Sequence, residues 1–158
     1  VPSFTRKKAE IIMKIAVDAD GCPVRKIIVK VARARAIPVL MVTDTSHRVE
    51  DGYSEVLIIS KGRDSADFAL VNKLDAGDIV VTQDYGLATM ALAKQAVVIS
   101  QQGFQYTKEN IDQLLFQRFL SGKVRRSGGR GPKIKKRTQA DDRKFEELLI
   151  RLLEDNVV

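Results

Sequence analysis

Tryptophan is absent from this chain, and cysteine and histidine each occur once, as Cys22 and His47. A single cysteine cannot close an intrachain disulfide, which fits a reducing, cytoplasmic setting. A single histidine excludes zinc sites built from several imidazoles. Any metal would therefore be held by oxygen, which favours Mg²⁺ or Mn²⁺ as cofactor. No apolar run approaches the roughly 18 residues of a membrane helix, so no membrane partner is expected, and the first residues lack the apolar core of a signal peptide. What is present, 158 residues with 44% hydrophobic content, suits one soluble domain with a real core and an appendage.

The formal charge of +7 is unevenly placed. Residues 118–138 hold nine cations (Arg118, Lys123, Arg125, Arg126, Arg130, Lys133, Lys135, Lys136, Arg137) and no acid, while the rest has 18 basic against 20 acidic residues. The chain reads as a near-neutral body carrying one basic segment. Such a segment attracts a phosphate backbone by counterion release without reading sequence. Its plain alternative is a solvated linker.

Residues 1–12 show no clear periodicity and read as an extension or tag remnant, with Met13 a plausible native start. Strands are expected at Ile15–Val17, Val39–Val42, Val56–Ile59, Ile79–Thr82 and Val97–Ile99, as short apolar runs bounded by turn residues. Helical spacing follows most of them. Val24, Ile27, Ile28 and Val31 recur at i, i+3, i+4 and i+7 after Pro23, while Arg25, Lys26 and Lys30 fall elsewhere. Further helices are predicted from about Asp64 or Ser65, from about Tyr85, after Thr107 and from about Asp141. In the helix after Thr107, Ile111, Leu114, Leu115 and Phe119 or Leu120 form the apolar side. Alternation of strand and helix predicts an α/β fold, a three-layer sandwich around a mostly parallel sheet of about five strands. That body spans 13–122, a Gly- and Pro-containing basic segment spans 123–140, and a final helix over 141–158 docks back.

The chemistry-bearing residues recur at one structural place. Asp18 and Asp20 follow the first strand, Asp64 and Asp67 the third, and Asp84 the fourth. Alternation along an extended chain can point Asp18 and Asp20 the same way. In a parallel sheet all these ends share one rim, where ligands of open α/β sheets bind. Two acids one residue apart have three readings: a metal site, a phosphoaspartate-type nucleophile with its partner, or a solvated turn. Each acid also has a plain role, Asp64 and Asp84 as helix caps and Asp67 as a favoured first-turn charge. Five meeting by accident is the weaker explanation, because converging carboxylates repel unless a divalent cation holds them. Cys22 at a helix start could be a nucleophile, but Ile28 stands where a thiol phosphatase needs arginine, so Cys22 reads as packing and His47 as a surface residue.

The ordered blocks Asp18-Ala19-Asp20-Gly21-Cys22-Pro23-Val24, Gly62-Arg63-Asp64-Ser65-Ala66-Asp67 and Gly77-Asp78-Ile79-Val80-Val81-Thr82-Gln83-Asp84, then Tyr106-Thr107-Lys108-Glu109-Asn110-Ile111 and a C-terminal block, resemble the YaiI/YqxD family of bacterial proteins. That family is similar to the PIN-like nucleases. The resemblance implies an α/β/α fold with an acidic rim that binds divalent metal. It carries Asp18, Asp67 and Asp84 as catalytic residues and principal ligands, with Asp20 and Asp64 completing the metal set and Thr82, Cys22 and Asp44 supporting it. Asp44 stands where asparagine is common, and Gly21 where alanine is common, the latter an exchange expected to be harmless in a turn. The expectation is a Mg²⁺- or Mn²⁺-dependent nuclease acting on nucleic acid, RNA by preference, through Arg125, Arg126, Arg130, Lys133, Lys135, Lys136 and Arg137. The alternatives are a non-catalytic RNA-binding module and a haloacid-dehalogenase-like phosphatase, the latter weakened by Cys22-Pro23 following the acidic pair.

Overall fold

The computed structural model describes residues 13–44, 49–60, 65–129 and 135–155. The expectations for residues 1–12, His47, Asp64, Arg130 and Lys133 lie outside those residues. The described chain runs β1 (Ile15–Asp18), α1 (Arg25–Ala34), β2 (Val39–Asp44), β3 (Glu55–Ile59), α2 (Ser65–Asn72), β4 (Ile79–Val81), α3 (Tyr85–Ala93), β5 (Val97–Ile99), β6 (Gln105–Tyr106), α4 (Lys108–Arg126) and α5 (Gln139–Asp155). The five expected strands form, and β1 through β5 pair in parallel. The order across the sheet is β3-β2-β1-β4-β5-β6. Strand order therefore reverses between β1 and β4, which creates a crevice at their carboxyl ends.

Alternation decides the two cores. Ile15, Val17, Met41, Ile79 and Val81 face α1 and α5, meeting Ile28, Val31, Phe145 and Leu149. Ala16, Leu40, Val42, Val80 and Val98 face the opposite way, meeting Leu70, Leu87, Ala88 and Ile111 from α2, α3 and α4. The result is the expected α/β/α sandwich, with every central strand buried on both faces. No helix among the described residues is long and apolar enough to cross a membrane.

Three boundaries differ from expectation. A two-residue strand, β6, pairs antiparallel with β5 and closes the sheet edge. It is too short to show a period. Helix α4 continues through Arg126 into the basic segment, capped reciprocally by Thr107 and Asn110. Its apolar side is also not where spacing put it. Ile111 is buried and Leu114 partly so, but Leu115, Phe119 and Leu120 are exposed. Helix α5 starts at Gln139, because Thr138 and Asp141 exchange side-chain to backbone hydrogen bonds at 2.9 and 3.3 Å.

The C-terminal helix is fastened by close approach as well as by its apolar face. Gly103 has φ 90°, and a Cβ there would lie 2.9 Å from the Phe145 nitrogen. Phe145 itself is fully buried. Phe145→Ala should lower unfolding free energy by about 3–5 kcal/mol in urea titrations. A loss under about 1 kcal/mol would show that α5 contributes little to the core.

Candidate functional site

Strand β1 delivers Asp18 to the crevice and then ends. Ala19 keeps one further link, its N–H donating to the Val42 carbonyl at 2.9 Å. Gly21 then turns the chain with φ 67°. Alanine is strained in that left-handed region, so this position is not the indifferent one expected. Strand conformation stops at Asp18, and the two acids go separate ways. Asp18 accepts a hydrogen bond from Thr82 Oγ1, just past β4, at 2.9 Å. Asp20 turns toward β2, where Thr43 Oγ1 and the Asp44 N–H each donate to one of its oxygens. Asp20 thus ties the exits of β1 and β2 together.

Thr82 is the hinge pin of the site. Buried at 2% exposure, it donates to Asp18 and accepts from the Asp84 N–H at 3.0 Å. Asp84 then caps α3, its Oδ1 accepting from Gly86 and Leu87 at 2.8 and 3.2 Å. The expected capping role of Asp84 and its place on the rim are both real. Asp67 lies half-buried in the first turn of α2. Burial pushes the Asp18 carboxyl up to about 6, opposed by the Thr82 hydrogen bond and reinforced by the charges of Asp67, Asp84 and Asp20. Three carboxylates, following β1, β3 and β4, therefore act on the fourth, Asp18. Among the described residues, however, no three Asp, Glu, His or Cys side chains close into a metal-holding group.

Supporting residues divide. Cys22 is buried and its thiol is pushed up by burial, so it stays protonated at neutral pH and packs in the core. Asp44 sits half-buried at the end of β2, with its N–H serving Asp20.

The basic residues divide too. Arg125 and Arg126 are exposed in the last turn of α4, and Lys135 and Lys136 are exposed beyond it. Arg137 is different: its Nε donates to Asp142 at 2.7 Å and the side chain is only 22% exposed. It braces the start of α5. Arg118 lies over the Tyr85 ring, 5.8 Å from its centroid, so the basic half of α4 begins beside the residue that follows Asp84. Sequence reasoning missed a second cationic surface. Arg25, Lys26, Lys30 and Arg33 share one face of α1 and line a cavity of about 670 Å³ whose opposite wall includes Val49, Glu50 and Asp51; Lys30 is paired with Glu146 at 3.0 Å. Recurrence of these cations along one helical face was the available signal.

The folded protein holds the Asp18 proton more tightly than the unfolded chain, so stability falls as pH rises from about 4 to about 6. Asp18→Asn keeps a partner for Thr82 and removes the half-buried charge. The variant should be more stable than the parent at pH 7.5 by up to about 3 kcal/mol, an advantage that fades as pH falls toward 4. Urea midpoints across this range decide it, and a variant weaker than the parent at neutral pH would refute the assignment.

Comparison with known proteins agrees with this architecture. The model of the uncharacterised YaiI/YqxD family matches residues 16–155. A UPF0178 protein of Alkaliphilus oremlandii is 50% identical over 146 residues, covering 92% of this chain and 94% of its own. One from Ruminiclostridium cellulolyticum is 53% identical over 138 residues, covering 87% and 90%. A third, from Natranaerobius thermophilus, is 48% identical over 141 residues, covering 89% and 96%. No solved structure matches the chain. With nearly its whole length matched at this level, the chain belongs to the YaiI/YqxD family.

Proposed function

We propose that the β1/β4 crevice is a Mg²⁺- or Mn²⁺-dependent site for phosphodiester hydrolysis in nucleic acid, RNA by preference, in a PIN-like manner. The observation that carries this reading is the convergence of Asp18, Asp67 and Asp84, following three different strands, on one rim. The donors suit a hard cation, being carboxylates alone. Because no three of them close a shell among the described residues, the fit is to a cation that takes one or two carboxylates and keeps several waters, as Mg²⁺ does. Asp18 would hold it, with Asp67 or Asp84 as the second carboxylate. Asp84 has one oxygen committed to the α3 cap, and Asp20 has both oxygens bonded to β2. Such a cation, when bound, supplies charge stabilisation and a nucleophile at neutral pH.

The residues of the chain do the rest. Thr82 orients Asp18 through a buried hydroxyl, and the fixed Asp84 cap keeps the second loop in place. The cations of α1 begin at Arg25, close enough to the rim for its charge to act on Cys22. With exposed Arg125, Lys135 and Lys136 they could hold a phosphate backbone beside the acids. A phosphatase using Asp20 as proton carrier is disfavoured, since both Asp20 oxygens are engaged in joining two strands. The second reading, an RNA-binding module without catalysis, draws on the same commitment of Asp84 and Asp20.

Labelled single-stranded RNA incubated with Mn²⁺ separates the readings. Cleavage that drops at least about 100-fold in Asp18→Asn supports hydrolysis at this rim. Binding without cleavage would leave the module, and neither would remove both. Calorimetric Mg²⁺ titration should show binding that weakens in Asp18→Asn.

RNA affinity should fall steeply with salt, and the slope should lessen by about one to two when Arg25 and Lys26 are both changed to Gln. A slope unchanged by that pair would return the α1 face to plain solvated surface.

A further inference from the structure

Helix α4 turns a large apolar face to solvent. Ile111 and Leu114 pack inward with α3, but Phe116 and Phe119 are 59% and 56% exposed, with Leu115, Leu120 and Val124 beside them. Contiguous apolar surface of this kind usually marks an interaction site. The charges on the same face are ordered. At 3.6 residues per turn, Glu109 and Asp112 lie on the face at its N-terminal end, with Lys108 at its margin, and Lys123 and Arg126 lie on it at its C-terminal end. All five are exposed.

This face is complementary to itself reversed. The midpoint between Gln117 and Arg118 bisects four pairs: Glu109 with Arg126, Asp112 with Lys123, Leu115 with Leu120, and Phe116 with Phe119. A two-fold axis at that midpoint sets each residue level with its complement on an antiparallel copy, and the pairs nearest the midline, Asp112 with Lys123 and Phe116 with Phe119, meet directly, as a closed isologous contact requires. Asp112 then meets Lys123 to either side of a central aromatic contact, with acid and base level at both ends. Parallel pairing would set like charges together. A nucleic-acid strand along the same face would meet Glu109 and Asp112 at one end. We propose that the outward face of α4 is a homodimer interface, in which two copies pack α4 antiparallel, with Phe116 against the partner's Phe119 and Asp112 against the partner's Lys123.

The contact leaves the nucleic-acid proposal room. Arg125 is one residue from Arg126, about 100° round the helix, and so points off the interface. Arg118 is directed at Tyr85. The dimer does not depend on the metal or on catalysis.

Sedimentation velocity of the full chain over a concentration series tests it. The parent should pass from monomer to dimer below about 100 µM. Phe119→Asp should raise the dissociation constant by more than about tenfold, with an unchanged far-ultraviolet circular dichroism spectrum. Asp112→Lys and Lys123→Asp should each weaken association by a few-fold, since each breaks two symmetry-related pairs. The double variant should return toward the parent, a restoration that folding damage cannot produce. A parent monomeric throughout, or a double variant no better than either single one, overturns the proposal. So does loss of RNA binding in Phe119→Asp from a parent that is monomeric, which would assign the face to nucleic acid instead.

Discussion

The site depends on one buried hydroxyl. Thr82 leaves β4 where strand order reverses, and its Oγ1 joins the two loops flanking the crevice, donating to Asp18 and accepting from the Asp84 N–H. A hydroxyl can do both, which neither an amide nitrogen nor a carboxylate can. Its backbone is held as well. The Tyr106 hydroxyl donates to the Thr82 carbonyl at 3.3 Å, and burial pushes that phenol up to about 12, so the donor stays protonated at any physiological pH. Tyr106 is held in turn by edge contacts with Tyr85 and Phe104. The short antiparallel strand β6 therefore has a purpose beyond closing the sheet. It places Tyr106 beneath the crevice.

The acids of the rim differ in what they can give. Asp20 and Asp84 take hydrogen bonds from backbone N–H groups and serve as local braces. Asp18 has one hydroxyl partner and a half-buried position, among three other carboxylates. A fold that only needed closing would place an apolar or amide side chain there, because an ionised carboxyl in such surroundings costs stability. Retaining the acid at that cost is a feature of sites that handle charge.

Most of the fold was legible because short apolar runs alternated with helical spacing, a pattern with few solutions. The rim was legible because strand ends in a parallel sheet share one side. What escaped was decided by contacts distant in sequence. Whether Asp20 faces the crevice or β2 depends on Thr43, which no local rule pairs with it. Whether Arg137 is a phosphate contact or a brace depends on Asp142, which becomes its partner only once α5 starts at Gln139. In α4, spacing correctly found a helix but could not say which apolar residues turn inward. Two apolar arcs lie on it, and α3 covers only the one containing Ile111.

These features place opposite charges in neighbouring regions of a small surface. A rim of carboxylates repels a polyanion, so cations alone cannot seat a phosphate there until the acidic charge is offset. On the nucleic-acid proposal, the cations of α1 and the exposed cations beyond α4 would hold the strand to either side, where field from the acids is screened by solvent. In the proposed reading, a divalent ion at Asp18 makes the electrostatic surface continuous from α1 across the crevice. The affinity for nucleic acid and the affinity for metal then become linked quantities, each raised by the other. A module that merely binds RNA on its basic faces would show no such linkage.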